Sequence, residues 1–201
     1  MEKKTSCRIA EIVRKTTEST ISVYVNLDGR GISQISTSIA FLDHMLRQLS
    51  FHSLIDITIE AKGDTDVDYH HTVEDIGIVL GQAISKALGN RKEITRFASI
   101  DLVMDETMIT SALDISGRPF LIWDVPFSSP KIGTFDTELV QEFFQSFSQN
   151  CRITLHLIKK HGANNHHLAE TCFKAVARCL YEAIKLDPNQ AERIPSTKGI
   201  L

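Results

Sequence analysis

Apolar residues recur along this chain with two different periods, and the period decides which element each stretch forms. Period two runs through "ISVYVNL" (residues 21–27), "LIDITIE" (54–60), "FASIDLVM" (97–104) and "RITLHLI" (152–158). Each predicts a strand with one buried and one solvated face. Helical spacing runs through "AFLDHMLRQLSFHS" (40–53), "HTVEDIGIVLGQAISKALG" (71–89), "TELVQEFFQSFSQN" (137–150) and "HLAETCFKAVARCLYEAIK" (167–185). The two long helices should stop at Gly89-Asn90 and before Pro188. A Gly-Arg turn, Gly29-Arg30 or Gly117-Arg118, follows a strand in each half. The order of elements predicts an α+β protein.

The same order occurs twice because the chain repeats itself. "ESTISVYVNLDGRG" from Glu18 aligns with "ETMITSALDISGRP" from Glu106, and the same offset pairs Arg8 with Arg96. Further along, His44 meets Glu142, Ile57 meets Leu155, and the pair His70-His71 meets His166-His167. Small loop insertions account for the drift in offset. Self-similarity of this kind marks a duplicated supersecondary unit. We expect residues 1–93 and 94–201 to be two repeat halves, each a mostly antiparallel sheet backed by helices. No long linker divides them, so they should share one core.

Bulk properties narrow the function classes. At 201 residues the chain is long enough to bury a core without staples. A formal net charge of −3 argues against a general nucleic-acid or membrane-surface binder, although a local basic pocket remains open. No stretch has the apolar length of a membrane span, and "MEKKTSCRIAEIV" lacks the apolar core of a signal peptide. Cys7, Cys151, Cys172 and Cys179 show no C-x-x-C spacing and read as ordinary, mostly buried thiols of a cytoplasmic protein.

Polar residues placed within the helical stretches carry the candidate chemistry. On a helix, residues i and i+4 share a face, so His70 with Glu74 makes one grip and His166 with Glu170 its twin. His71 and His167 point about 100° further around. Clustered imidazoles with neither metal nor partner would leave ring nitrogens unsatisfied or would repel when protonated. His44 and its counterpart Glu142, on the preceding helices, add one candidate to each half. The eight donors lack thiolate, which suits manganese, iron, cobalt or zinc and leans toward manganese. The spacing matches neither zinc-protease signature.

With "FLDHML", "DYHHTVEDIG", "DISGRP", "NNHHLAETCFKA" and "PSTKG" in this order, the sequence closely resembles the imidazoleglycerol-phosphate dehydratase family, from Arg8 to Lys198. The paired His-His-x-x-Glu motifs carry most of that specificity. The resemblance implies a fold similar to ribosomal protein S5 domain 2, a homo-oligomeric 24-mer, and two manganese ions per active site. It also implies the sixth step of histidine biosynthesis, in which a hydro-lyase converts D-erythro-imidazoleglycerol phosphate to imidazole acetol phosphate. By internal symmetry, one ion would be held by His44, His71, His166 and Glu170, and the other by His70, Glu74, Glu142 and His167. In the family such ligands come from more than one subunit. The resemblance further implies phosphate contacts from Arg96, Arg118, Lys174, Ser196, Thr197 and Lys198. It implies substrate contacts from Gln48, His52, His44, His70 and His166, and a catalytic role for Glu18. Without the resemblance, the tail reads as disordered.

Two other classes compete on residues alone. A dinuclear hydrolase would use similar donors but would need an oxyanion hole, which no segment identifies. A metal-assembled cage would explain the histidines but would leave Arg96, Arg118 and Lys198 without a purpose.

Overall fold

Strand-forming residues with alternate positions buried build two sheets of the same topology in the computed structural model, which describes residues 8–201. Cys7 lies outside the described residues. In the first half, β1 (Ile9–Lys15), β2 (Ser19–Asn26), β3 (Ser33–Ser36) and β4 (Asp56–Gly63) form a sheet in the order β1-β2-β4-β3. In the second half, β5 (Phe97–Met104), β6 (Thr107–Asp114), β7 (Phe120–Asp124) and β10 (Thr154–His161) repeat it as β5-β6-β10-β7. In each sheet only the last pair is parallel, β3 with β4 and β7 with β10. A short hairpin, β8 (Lys131–Ile132) with β9 (Phe135–Asp136), is inserted in the second half alone.

The helices are α1 (Ala40–Ser53), α2 (His70–Leu88), α3 (Glu138–Cys151) and α4 (Asn165–Ala183), followed by a 3-10 turn at Pro188–Gln190. Each half's helices cover the inner face of its own sheet, and across the halves α2 packs on α3 and α1 on α4. The layers therefore run sheet, helices, helices, sheet. Ile21, Val23, Val25, Ile57 and Ile59 from one sheet and Ile109, Leu113, Leu155 and Leu157 from the other enclose the core. Phe143, Phe144, Phe147 and Phe173 fill its middle, with ring centroids 4.7–6.0 Å apart. Cys151, Cys172 and Cys179 are buried thiols in this core.

The duplicated α+β architecture agrees with the sequence pattern, with one correction. Periodicity places "FASIDLVM" before the second Gly-Arg turn. In the structure that stretch is β5, the hairpin partner of β6, and β6 is the strand nearest Gly117-Arg118. The sheet strands that periodicity does not mark (β1, β3 and β7) lie at sheet edges, and β3 and β7 are only four and five residues long.

The α2–α3 crossing depends on two glycines. A Cβ at Gly81 would lie 2.7 Å from Cys151 N and from Phe147 O, and one at Gly77 would lie 2.9 Å from Phe143 O. These neighbours are backbone atoms and cannot swing away. Alanine is intrinsically the better helix former by about 1 kcal/mol, but overpacking costs typically 1–3 kcal/mol. The steric term wins, so Gly81→Ala is expected to lower the denaturation midpoint. A raised midpoint would show that α2 and α3 can separate without loss.

Candidate metal centre

The helix crossings bring together donors that are far apart in sequence. At the α1–α4 crossing, His44 Nε2 and His166 Nε2 lie 3.3 and 3.1 Å from the same oxygen, Glu170 Oε2. At the α2–α3 crossing, His70, Glu74 and Glu142 offer donor atoms all within 4.8 Å of one another. Each cluster thus takes two residues from a long helix of one half and one from a short helix of the other. The duplication makes the two clusters symmetry mates. Three convergent nitrogen and oxygen donors suit a first-row divalent cation, so the residues present fit a metal.

Side-chain oxygens hold the first backbone amides of both helices that carry the histidines, from the N-cap Asn164 of α4 and, in α2, from Asp68 one residue ahead of the N-cap. Asn164 Oδ1 accepts from His166 N at 2.9 Å, and Asp68 Oδ1 accepts from His70 N at 2.8 Å. At Glu170, burial would raise the carboxyl, but Lys174, His166 and His44 outweigh it and hold the group below its usual range. Lys174 Nζ sits 2.6 Å from Glu170 Oε1, leaving Oε2 to face the two rings.

His71 and His167 belong to neither cluster. His71 Nδ1 lies 2.9 Å from Asp64 Oδ2 and 3.8 Å from Glu18 Oε2. His167 Nδ1 lies 2.8 Å from Glu106 Oε2, whose other oxygen accepts from Asn164 N at 3.0 Å. A carboxylate facing Nδ1 makes that nitrogen the donor, so Nε2 keeps its lone pair. This is how a metal-binding histidine is fixed in its tautomer. The Asp64 contact raises the His71 imidazole, and the His167 contact pulls Glu106 down to about 2. Sequence reasoning missed Asp64; its only signal was an acid at the end of β4, one turn ahead of the histidines. It also missed Asp75, a buried carboxylate that takes Arg14 Nε at 2.8 Å and Ser19 Oγ at 2.5 Å. Those bonds pin the strand residue adjoining Glu18 to α2.

The remaining sequence candidates fall at two ends of the molecule. Arg96 binds Asp114 Oδ1 at 2.7 Å and Pro195 O at 2.6 Å, and its guanidinium stacks 4.3 Å over Phe97. Arg118 lies 3.9 Å from the same Asp114, with 69% of its side chain exposed. The tail that carries Ser196, Thr197 and Lys198 is held here by the Pro195 contact and closes a turn from Gly199 N to Ser196 O. It follows a defined path, against the expectation for a chain end. Lys174, by contrast, lies 3.4 Å from Met104 Sδ at the other end of β5. Seven residue steps along that strand put the two ends roughly 23 Å apart. The metal-cluster helix starts, Glu18 and Glu106 lie at the Lys174 end. His52 and Gln48 follow His44 at four-residue intervals on α1. Burial, with the charges of Lys174 and Arg178, lowers the His52 imidazole.

A family profile described as imidazoleglycerol-phosphate dehydratase matches residues 37–180, which include both clusters. The chain belongs to the imidazoleglycerol-phosphate dehydratase family. Membership makes it an enzyme, a carbon–oxygen lyase of histidine biosynthesis. It is 66% identical over 194 residues to the imidazoleglycerol-phosphate dehydratase of Agrobacterium fabrum, covering 96% of this chain and 98% of that one. It is 62% identical over 197 residues to that of Sinorhizobium fredii, covering 98% of each. Among solved structures, the Staphylococcus aureus dehydratase superposes with a TM-score of 0.81 at 39% identity, covering 89% of this chain and 99% of that one. The Pyrococcus furiosus one gives 0.82 at 33%, covering 94% and 100%. These likenesses extend over both halves. No helix among the described residues is long and apolar enough to cross a membrane.

Proposed function

We propose that this protein dehydrates D-erythro-imidazoleglycerol phosphate to imidazole acetol phosphate, the sixth step of histidine biosynthesis, in the cytoplasm. Each active site holds two manganese ions, and the sites form between subunits of a 24-mer, each subunit one chain made of the repeat halves 1–93 and 94–201. The carrying observation is that each cluster has three donors within one chain, while His71 and His167 are held in metal-binding tautomers facing elsewhere. Symmetry assigns His44, His166 and Glu170, with a neighbouring subunit's copy of His71, to one ion. It assigns His70, Glu74 and Glu142, with a neighbouring copy of His167, to the other.

When bound, the ions supply Lewis-acid charge that stabilises the electron-rich imidazole ring and orients it. The chain's own groups do the rest. The carbon-bound proton lost from the substrate is barely acidic, so it needs a base placed against it. Glu18, with half its side chain exposed at the β1–β2 turn beside His71, is that base. It takes the proton from the carbon next to the one that loses hydroxide; the resulting enol then becomes the ketone. Arg96, Arg118, Ser196, Thr197 and Lys198 hold the phosphate by charge-assisted contacts. Lys174, Gln48 and His52 line the site from the metal end. Because the two groups sit at opposite ends of one chain, a substrate that touches both is held by more than one subunit.

Incubation of the manganese-loaded protein with imidazoleglycerol phosphate is expected to yield imidazole acetol phosphate, seen by mass spectrometry as loss of one water. Release of inorganic phosphate in place of dehydration would instead support the dinuclear hydrolase.

A further inference from the structure

The two clusters are mates by the internal repeat, yet they differ in charge. His44 on α1 corresponds to Glu142 on α3, so one cluster offers two imidazoles and one carboxylate, and the other one imidazole and two carboxylates. The next turn of the long helices widens the difference. Four residues after Glu170 comes Lys174, whose ammonium lies 2.6 Å from Glu170 Oε1. Four residues after Glu74 comes Ile78, which carries no charge. Among the described residues, neither Glu74 nor Glu142 has a cationic partner. Carboxylate and ammonium therefore cancel at the first cluster, while two carboxylates stand uncompensated at the second.

We infer that the two metal positions are inequivalent: the His70–Glu74–Glu142 cluster is the tight manganese site, and the His44–His166–Glu170 cluster is the weaker one, open to zinc. The inference rests on the reading that these clusters hold metal. A unit charge within a few ångströms of a cation changes its affinity by roughly tenfold or more, even at the effective dielectric of a surface site. Here the clusters differ by two such charges. Ligand chemistry acts in the same direction, because carboxylate favours manganese while imidazole favours zinc. The proposed fourth donors leave the difference intact, since each cluster gains one histidine.

Metal-free protein titrated with manganese, followed by the electron paramagnetic resonance of the free ion, should fill in two steps. Their affinities should differ by roughly tenfold or more. Glu142→His should bring the steps together by weakening the tighter one, whereas Lys174→Met should do so by strengthening the weaker one. A folding defect cannot mimic both, because the two variants act in opposite directions. With zinc and manganese supplied together, anomalous diffraction should place zinc beside His44. A single class of sites in the parent protein, an unchanged gap in either variant, or zinc beside Glu142 would overturn the inequivalence. A protein that binds no manganese at all would overturn the metal reading itself.

Discussion

Glu18→Gln is expected to lower kcat by roughly 10²–10⁴, the range of general acid–base catalysis, with manganese content and oligomer size unchanged. The amide keeps the size and hydrogen bonding of the carboxylate and removes only its basicity. The second half of the chain explains why metal binding should survive. Glu106, the repeat partner of Glu18, is bound to His167 Nδ1 at 2.8 Å and to the backbone of the α4 start. In the first half Asp64 does that work at 2.9 Å, and Glu18 stands off at 3.8 Å. The half-exposed Glu18 is therefore free for chemistry. Lys198→Ala supplies the contrast: with the phosphate contact proposed for the tail removed, it should raise KM more than it lowers kcat. Near-native kcat with a raised KM in Glu18→Gln would make Glu18 a binding residue and leave the proton without its base.

How much of this was legible beforehand follows from which interactions are local. The α1 boundaries could be read from periodicity alone, because Leu42, Met45, Leu46 and Leu49 form one buried stripe. The i, i+4 grips on α2 and α4 were legible for the same reason: helix geometry turns sequence spacing into a shared face. The duplication added His44 and Glu142. Internal symmetry also grouped His44 with the second-half pair His166 and Glu170. The contact itself is made where α1 packs against α4, a crossing between the halves that periodicity within either half does not display.

The carboxylates behind the histidines were invisible for a related reason. Asp64 lies at the end of a strand in an acid-rich loop where any of Asp64, Asp66 or Asp68 would read as solvated. Only the fold turns Asp64 toward His71 and Asp68 toward the His70 amide. The tail was misread for a third reason: a chain end reads as disordered unless something ties it down. Here the tie is a contact almost a hundred residues distant, Arg96 to Pro195 O.

Chelation of the manganese-loaded protein is expected to abolish turnover and to reduce the oligomer to smaller species, with readdition of manganese restoring both. Lone histidine and carboxylate clusters on one chain would lose only activity, because nothing would tie their metal to assembly. Here His71 and His167 are poised by Asp64 and Glu106 and, among the described residues, join neither three-donor cluster of their own chain. If they complete a neighbour's cluster, each ion is also a bond between subunits. A ligand that binds only the assembled state stabilises it by about 2.7 kcal/mol per site at one hundred times its dissociation constant, and the proposed 24-mer would multiply that over many sites. Sedimentation velocity and turnover, measured on one preparation across a chelator series, should fall together. Turnover that persists in demonstrably metal-free protein would remove the ions from the chemistry. Turnover that vanishes while the sedimentation coefficient holds would place His71 and His167 within their own chain's sites and end the case for ligation between subunits.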